Sequence, residues 1–137
     1  MSNQYTEIII RQYESYTQYG YMDDDKFIIH RDNDLPAIEW ANGSKAWYVN
    51  GQRHRDNNLP AIEWASGDKA WYVNGQRHRD NDLPAIEWTS GYKEWYVNGQ
   101  KVPEPTKPTL TDATDEELLR ELARRLSLAS LGITEPQ

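Results

Sequence analysis

From His30 onward the chain repeats itself every 24 residues, in units spanning 30–53, 54–77 and 78–101. A unit this short cannot bury an apolar face alone, so stacked units must share a core. Each unit reads His-Arg-Asp-Asn-(Asp/Asn)-Leu-Pro-Ala-Ile-Glu-Trp. A short variable stretch around a glycine follows, then Lys-(Ala/Glu)-Trp-Tyr-Val-Asn-Gly-Gln-(Arg/Lys). The first two units differ only at Asp34/Asn58, Asn42/Ser66 and Ser44/Asp68. Residues 1–29, rich in tyrosine (Tyr5, Tyr13, Tyr16, Tyr19, Tyr21), read as a degenerate N-terminal capping unit, because terminal repeats close an otherwise open stack.

Every unit has β chemistry. Ala37-Ile38-Glu39-Trp40 alternates in character, and Lys45-Ala46-Trp47-Tyr48-Val49 forms a second apolar run. Asn42-Gly43 and Asn50-Gly51 are both two-residue hairpin signals. Asp32 to Pro36 reads as a loop, since Pro36 lacks an N–H and keeps Leu35 out of the helical region. A two-residue first turn pairs Trp40 with Lys45 and Ile38 with Trp47. The second turn pairs Val49 with Gln52, Tyr48 with Arg53 and Trp47 with His54. One face then holds Ile38, Trp40, Trp47, Val49 and His54, and the other Ala37, Glu39, Ala46, Tyr48 and Arg53. The expected fold is mainly β, an elongated antiparallel β-hairpin repeat sheet with one C-terminal helix. One detail objects. In the third unit this register sets Glu87 against Glu94, so either the carboxylates splay into water or the first loop is longer than two residues.

The chemistry changes after Lys101. Residues 102–110 form a stiff proline-rich linker, and residues 111–137 hold an amphipathic helix expected over about 115–131. Thr114-Asp115-Glu116-Glu117 is a capping box, Arg120, Arg124 and Arg125 follow the acidic first turn, and Gly132 suits the C-terminal cap. Leu118, Leu122, Leu126 and Ala129 form a stripe, with Leu119 beside it.

With 137 residues the chain suits one domain or a small repeat array. It has no cysteine, which excludes a disulfide scaffold, a thiolate metal site and a cysteine nucleophile. No apolar run reaches the roughly 18 residues of a membrane span. The N-terminus lacks the basic start and apolar core of a secretory signal, and a cytoplasmic location is expected. The net charge of −7 resides almost entirely in residues 1–29 and 102–137, while the first two units are neutral. That pattern argues against a basic nucleic-acid stripe, against a carboxylate track mimicking DNA, and against attraction to anionic lipid.

The run Trp47-Tyr48-Val49-Asn50-Gly51-Gln52-Arg53-His54, preceded by Gly43, resembles the membrane occupation and recognition nexus (MORN) repeat, built on aromatic-x-x-Asn-Gly-x-x-His. Residues 71–78 match equally, and residues 95–101 match until Val102 replaces the histidine. The resemblance covers about half the chain. It departs from the family where Arg55 follows His54 and Leu59-Pro60-Ala61 replaces a glycine-rich stretch, a glycine-poor form similar to arrays in bacterial, phage and giant-virus proteins. What the resemblance implies is an elongated, curved β-sheet used for protein or membrane contact, with no particular partner.

Three features carry candidate chemistry. His-Arg-Asp at 30–32, 54–56 and 78–80 offers an acid–base pair beside a guanidinium, but catalysis needs one constellation rather than three copies of one motif. The triplet also occurs in kinase catalytic loops, yet the glycine-rich loop and Asp-Phe-Gly that accompany it there are missing. The three histidines lie too far apart along the array to share a metal, and Asp23-Asp24-Asp25 lacks cation-loop spacing and reads as a solvated turn. No metal and no cofactor are expected. The third feature is a strip of Tyr48, Tyr72 and Tyr96 beside Arg53, Arg77 and Lys101, suited equally to structural stacking and to recognition.

The expected function is a non-catalytic protein-binding module, of the kind a phage or virus would use to bind and inhibit a host protein. Its candidate contacts are the Tyr/Arg strip and Leu118, Leu119, Leu122 and Leu126. The partner is another protein, from a host or a second copy joined through the C-terminal helix to make a homo-oligomer. The alternatives are a carbohydrate or cell-wall module using the Tyr strip, and an enzyme using one His-Arg-Asp triplet.

Overall fold

A computed structural model of the chain describes residues 7–106, 114–130 and 132. Tyr5, the linker after Thr106 and the expected last helical residue Leu131 lie outside the described residues. Two units divide between Glu104 and Pro105. The first is an antiparallel sheet and the second carries the helix.

The N-terminal segment supplies β1 (Ile9–Gln12), β2 (Tyr16–Asp23) and β3 (Lys26–Ile29). The first repeat supplies β4 (Ile38–Trp40), β5 (Lys45–Ala46), β6 (Tyr48–Val49) and β7 (Gln52–Arg53). The second repeats these as β8 (Ile62–Glu63), β9 (Lys69–Ala70), β10 (Tyr72–Val73) and β11 (Gln76–Arg77). The third has β12 (Ile86–Glu87), β13 (Lys93–Val97) and β14 (Gln100–Val102). The main sheet runs β1-β2-β4-β5-β8-β9-β12-β13-β14, with β3 also paired to β2. β6–β7 and β10–β11 form separate two-stranded ribbons. In the first two units the strand breaks at Trp47 and Trp71, whose N–H groups bond the carbonyls of Ala61 and Ala85 in the following unit. β13, with no unit after it, runs straight through Trp95.

The second turn forms as expected. Asn50 and Gly51 both have positive φ (50° and 80°), a type I′ geometry, and Tyr48 pairs with Arg53 and Val49 with Gln52. The first turn differs. Gly43 N–H donates to the Trp40 carbonyl (3.0 Å), Trp40 N–H donates to the Ser44 carbonyl (2.9 Å), and Gly43 has φ +92°. This is a three-residue loop closed by a left-handed glycine, so Glu39 pairs with Lys45 and Ile38 with Ala46. The slip of one residue moves Ile38 and Trp40 off the face of Trp47, Val49 and His54 and onto the face of Ala46, Tyr48 and Arg53. It also resolves the like-charge clash, because Glu87 now meets Lys93 and Ile86 meets Glu94.

Two ladders therefore cross the sheet. One reads Ile38–Ala46–Ile62–Ala70–Ile86, alternating large and small, and ends at Glu94; its apolar members form the core with Ala61 and Tyr72. The other reads Glu39–Lys45–Glu63–Lys69–Glu87–Lys93, opposite charges facing each other throughout. Tyr16, Trp40, Tyr48, Trp88 and Tyr96 pack against the core, so within this unit the sheet's own aromatic side chains cover it.

In the second unit, α1 (Asp115–Ser130) begins with the expected reciprocal cap. Glu117 N–H donates to Thr114 Oγ1 (3.2 Å), and Thr114 N–H donates to Glu117 Oε2 (3.0 Å). Arg124 and Arg125 clasp Glu121, holding its carboxyl at about 2. Gly132 has the positive φ (70°) of a helix terminator.

Ile62 sits between Ala46 and Ala70 at the middle of the ladder, 7% exposed. Truncating Ile62→Ala is expected to cost about 2–4 kcal/mol in urea unfolding, whereas Ile8→Ala, 41% exposed, should stay within about 0.5 kcal/mol.

Candidate functional site

Three motifs recur along the array; the first and third join residues of adjoining units, and the second lies within one unit. The first joins Asp34, Trp47 and Arg55. Trp47 Nε1–H donates to the Asp34 carbonyl (3.0 Å), fixing the indole beside the His-Arg-Asp-Asn loop. That loop turns on two positive-φ residues, Asn33 (61°) and Asp34 (54°). The Arg55 guanidinium lies over the Trp47 ring, 3.7 Å from its centroid. Its Nε and Nη2 reach the two Asp34 carboxylate oxygens (2.8 and 3.1 Å), while Nη1 donates to the Pro60 carbonyl (3.1 Å) and to Glu63 (3.3 Å). Asp34 is held below the usual carboxylate range, first by this hydrogen bond. Arg79, Trp71 and Asn58 repeat the arrangement, with the ring at 3.8 Å and a single bond from Nε to Asn58 Oδ1 (2.9 Å). At the N-terminal end Arg31 stacks on Tyr19 at 3.6 Å, so Tyr19 takes the position that tryptophan holds in the units.

The second motif explains the histidines. His30 Nδ1 accepts the Asn50 N–H (3.0 Å), and its Nε2 lies 2.9 Å from Asp32 Oδ1. Accepting at Nδ1 places the proton on Nε2, where it is donated to the aspartate. His54 and His78 hold Asn74 and Asn98 and meet Asp56 and Asp80 in the same way. Each histidine ties one His-Arg-Asp loop to the type I′ turn of its unit and engages both ring nitrogens in doing so. Open hollows of about 510 and 260 Å³ lie between successive loops, lined by these engaged side chains. Among the described residues there is no group of three or more metal-ligating side chains.

The third motif is the tyrosine strip. Arg53 Nε–H donates to Tyr48 Oη (2.9 Å), and the same guanidinium lies between the Tyr48 and Tyr72 rings at 5.8 and 5.5 Å. Arg77 repeats this with Tyr72 (3.0 Å) and lies 5.2 Å from the Tyr96 ring. Lys101 turns instead to Glu94 (2.6 Å), which also accepts from Tyr96 Oη (2.9 Å). Lys101, then Tyr96, draw the Glu94 carboxyl below its ordinary range. The strip is thus continuous, with Tyr72 buried, Tyr48 and Tyr96 half-buried and Arg53 and Arg77 exposed. On α1, Leu119, Leu122 and Leu126 are exposed and Leu118 is half-buried.

The tryptophans, which the two-residue first turn would set on one face with Ile38 and Val49, divide between the faces. Trp40 and Trp88 pack on the isoleucine ladder, Trp64 is exposed, and Trp47 and Trp71 are buried on the opposite face beneath arginines. Sequence reasoning missed Arg55 and Arg79 as clasps, although each stands at a fixed spacing after an Asp or Asn in the preceding loop. In comparisons with known proteins, no family model, curated relative or solved structure matches this chain.

The clasp yields two expected outcomes in urea unfolding. Arg55→Ala should lose about 2–3 kcal/mol, with Arg55→Lys recovering less than half, because lysine supplies neither the fork nor the flat stack. The depressed Asp34 pKa stabilises the fold above its ordinary value of 3.8, and that stability is lost as pH falls through the folded value. Asp34→Asn, which copies the second unit, should therefore show a smaller drop in urea midpoint between about pH 5 and pH 3 than the parent chain.

Proposed function

We propose that this chain is a non-catalytic protein-binding module that meets its partner through the tyrosine–arginine strip. The observation that carries the reading is the placement of Arg53 and Arg77. Each donates Nε–H to a tyrosine of its own unit and sits exposed between or beside tyrosine rings. A guanidinium held this way has already lost much of its rotamer freedom, so a carboxylate or carbonyl on a partner meets a pre-organised fork. Arginine and tyrosine are also among the side chains most enriched at binding hot spots. Repetition adds a second effect, because two equivalent guanidinium groups let one extended partner engage both, raising avidity without a new kind of contact. The resemblance to MORN repeats supports the same use of the sheet. The histidines support a non-catalytic reading, because their ring nitrogens are committed to the fold.

An affinity capture from host lysate tests this, with the full chain set against Arg53→Ala/Arg77→Ala. These side chains are exposed, so the double variant is expected to fold. The expected result is one stoichiometric protein captured by the parent chain and reduced tenfold or more by the double variant. Equal capture by both would move the contact off the strip. Capture of no protein, with a signal on a glycan array, would replace the reading by carbohydrate binding.

A further inference from the structure

We infer that the C-terminal end of the array carries a binding site for an arginine side chain of a partner protein, formed by Asp82 and Trp95. The template lies within the molecule. Arg55 fills the corresponding site made by Asp34 and Trp47, and Arg79 fills the one made by Asn58 and Trp71. The third site has the same construction. Asn81 and Asp82 have positive φ (63° and 56°), within 2° of Asn33 and Asp34. Trp95 Nε1–H donates to the Asp82 carbonyl at 3.0 Å, the distance found for Trp47 and Trp71. At the next position in the period, where Arg55 and Arg79 stand in the other two, the sequence has Pro103, and it is exposed.

Three consequences point to a ligand rather than to a mere end of the repeat. Trp47 and Trp71 are 6% and 5% exposed beneath their arginines, whereas Trp95 is only half-buried. The loop residue is the aspartate of the first unit, which binds its guanidinium through both oxygens, and not the asparagine of the second, which makes one bond. Among the described residues, no cation lies over the Trp95 ring and no side chain bonds the Asp82 carboxylate. An indole face beside a carboxylate, both oriented by a turn the fold already builds twice, is complementary to a planar cation with a fork of donors. Lysine meets neither requirement well. The site is independent of the strip in the proposed function, since Trp95 and Tyr96 are successive strand residues and point to opposite faces.

The test is a titration of the full chain with N-acetyl-arginine amide, followed at the Trp95 indole N–H by ¹⁵N NMR. N-acetyl-lysine amide is the control and Pro103→Arg the variant that supplies the arginine from within. The expected result is a saturable shift with half-saturation at roughly 1–30 mM for the arginine amide, as suits one stacked ion pair, and a much smaller one for the lysine amide. In Pro103→Arg the response should disappear and the melting temperature should rise. No saturation by about 100 mM would overturn the inference. So would an equal response to lysine, or an unchanged response in Pro103→Arg. None of these failures touches the capture experiment, which reads the other face.

Discussion

The structure depends on a single residue of loop length. Gly43, Gly67 and Gly91 sit in the left-handed region and close three-residue loops, and this sets which residues of the following strand face which. With that register, isoleucine meets alanine from Ile38 to Ile86 and glutamate meets lysine from Glu39 to Lys93. A register one residue away would put isoleucine opposite tryptophan and glutamate opposite glutamate in the third unit. The alternation of large with small is also what lets strands of only two or three residues pack closely, since Ala46 and Ala70 leave room for the isoleucines on either side.

Within the sheet-bearing unit both faces of the sheet are covered by the sheet's own side chains, and the aromatic composition follows from this. Tyrosine, with Trp40 and Trp88, covers the isoleucine ladder, and Trp47 and Trp71 take the opposite face beneath arginine. Both have a polar handle: Trp47, Trp71 and Trp95 give Nε1–H to a loop carbonyl, and the Tyr48 and Tyr72 hydroxyls accept from a guanidinium. Phenylalanine lacks that handle, and the chain has one phenylalanine against nine tyrosines and six tryptophans. The same contacts link the units, since the Arg55 clasp and the Gly75 N–H bond to the Arg53 carbonyl both cross a unit boundary. Stability of this kind is a sum over neighbours, so the last unit has to differ. There Glu94 replaces the alanine that would receive another isoleucine, and Lys101 pairs with it. A charge at that point blunts the sheet edge against further strand addition.

Much of the local structure was legible. Asn50-Gly51 specified its type I′ turn, Thr114 with Glu117 specified the helix start, and Gly132 its end, because each is a requirement on φ or on one orphan N–H within a few residues. Asn42-Gly43 looked identical and behaved differently. The clue was at the equivalent positions, where serine stands in for asparagine at Ser66 and Ser90. Serine is a poor choice for the left-handed first position of a type I′ turn, and Asn42 does not adopt positive φ. The Glu87–Glu94 clash was the second sign of the longer loop.

The sequence alone therefore determined the period, the unit boundaries, the second hairpin and the helix with its caps. Tertiary structure decided which face holds the isoleucines, that Arg55 and Arg79 are clasps and that the histidines are ties between loop and turn. The physical reason is range. Turn chemistry is encoded in the residues that make the turn, whereas the partner of Ala46 is Ile62 in another unit, and that of Arg55 is Asp34 in the preceding one. Such pairings depend on how units stack, and a near-identical sequence in every unit does not by itself say which copy a side chain will meet.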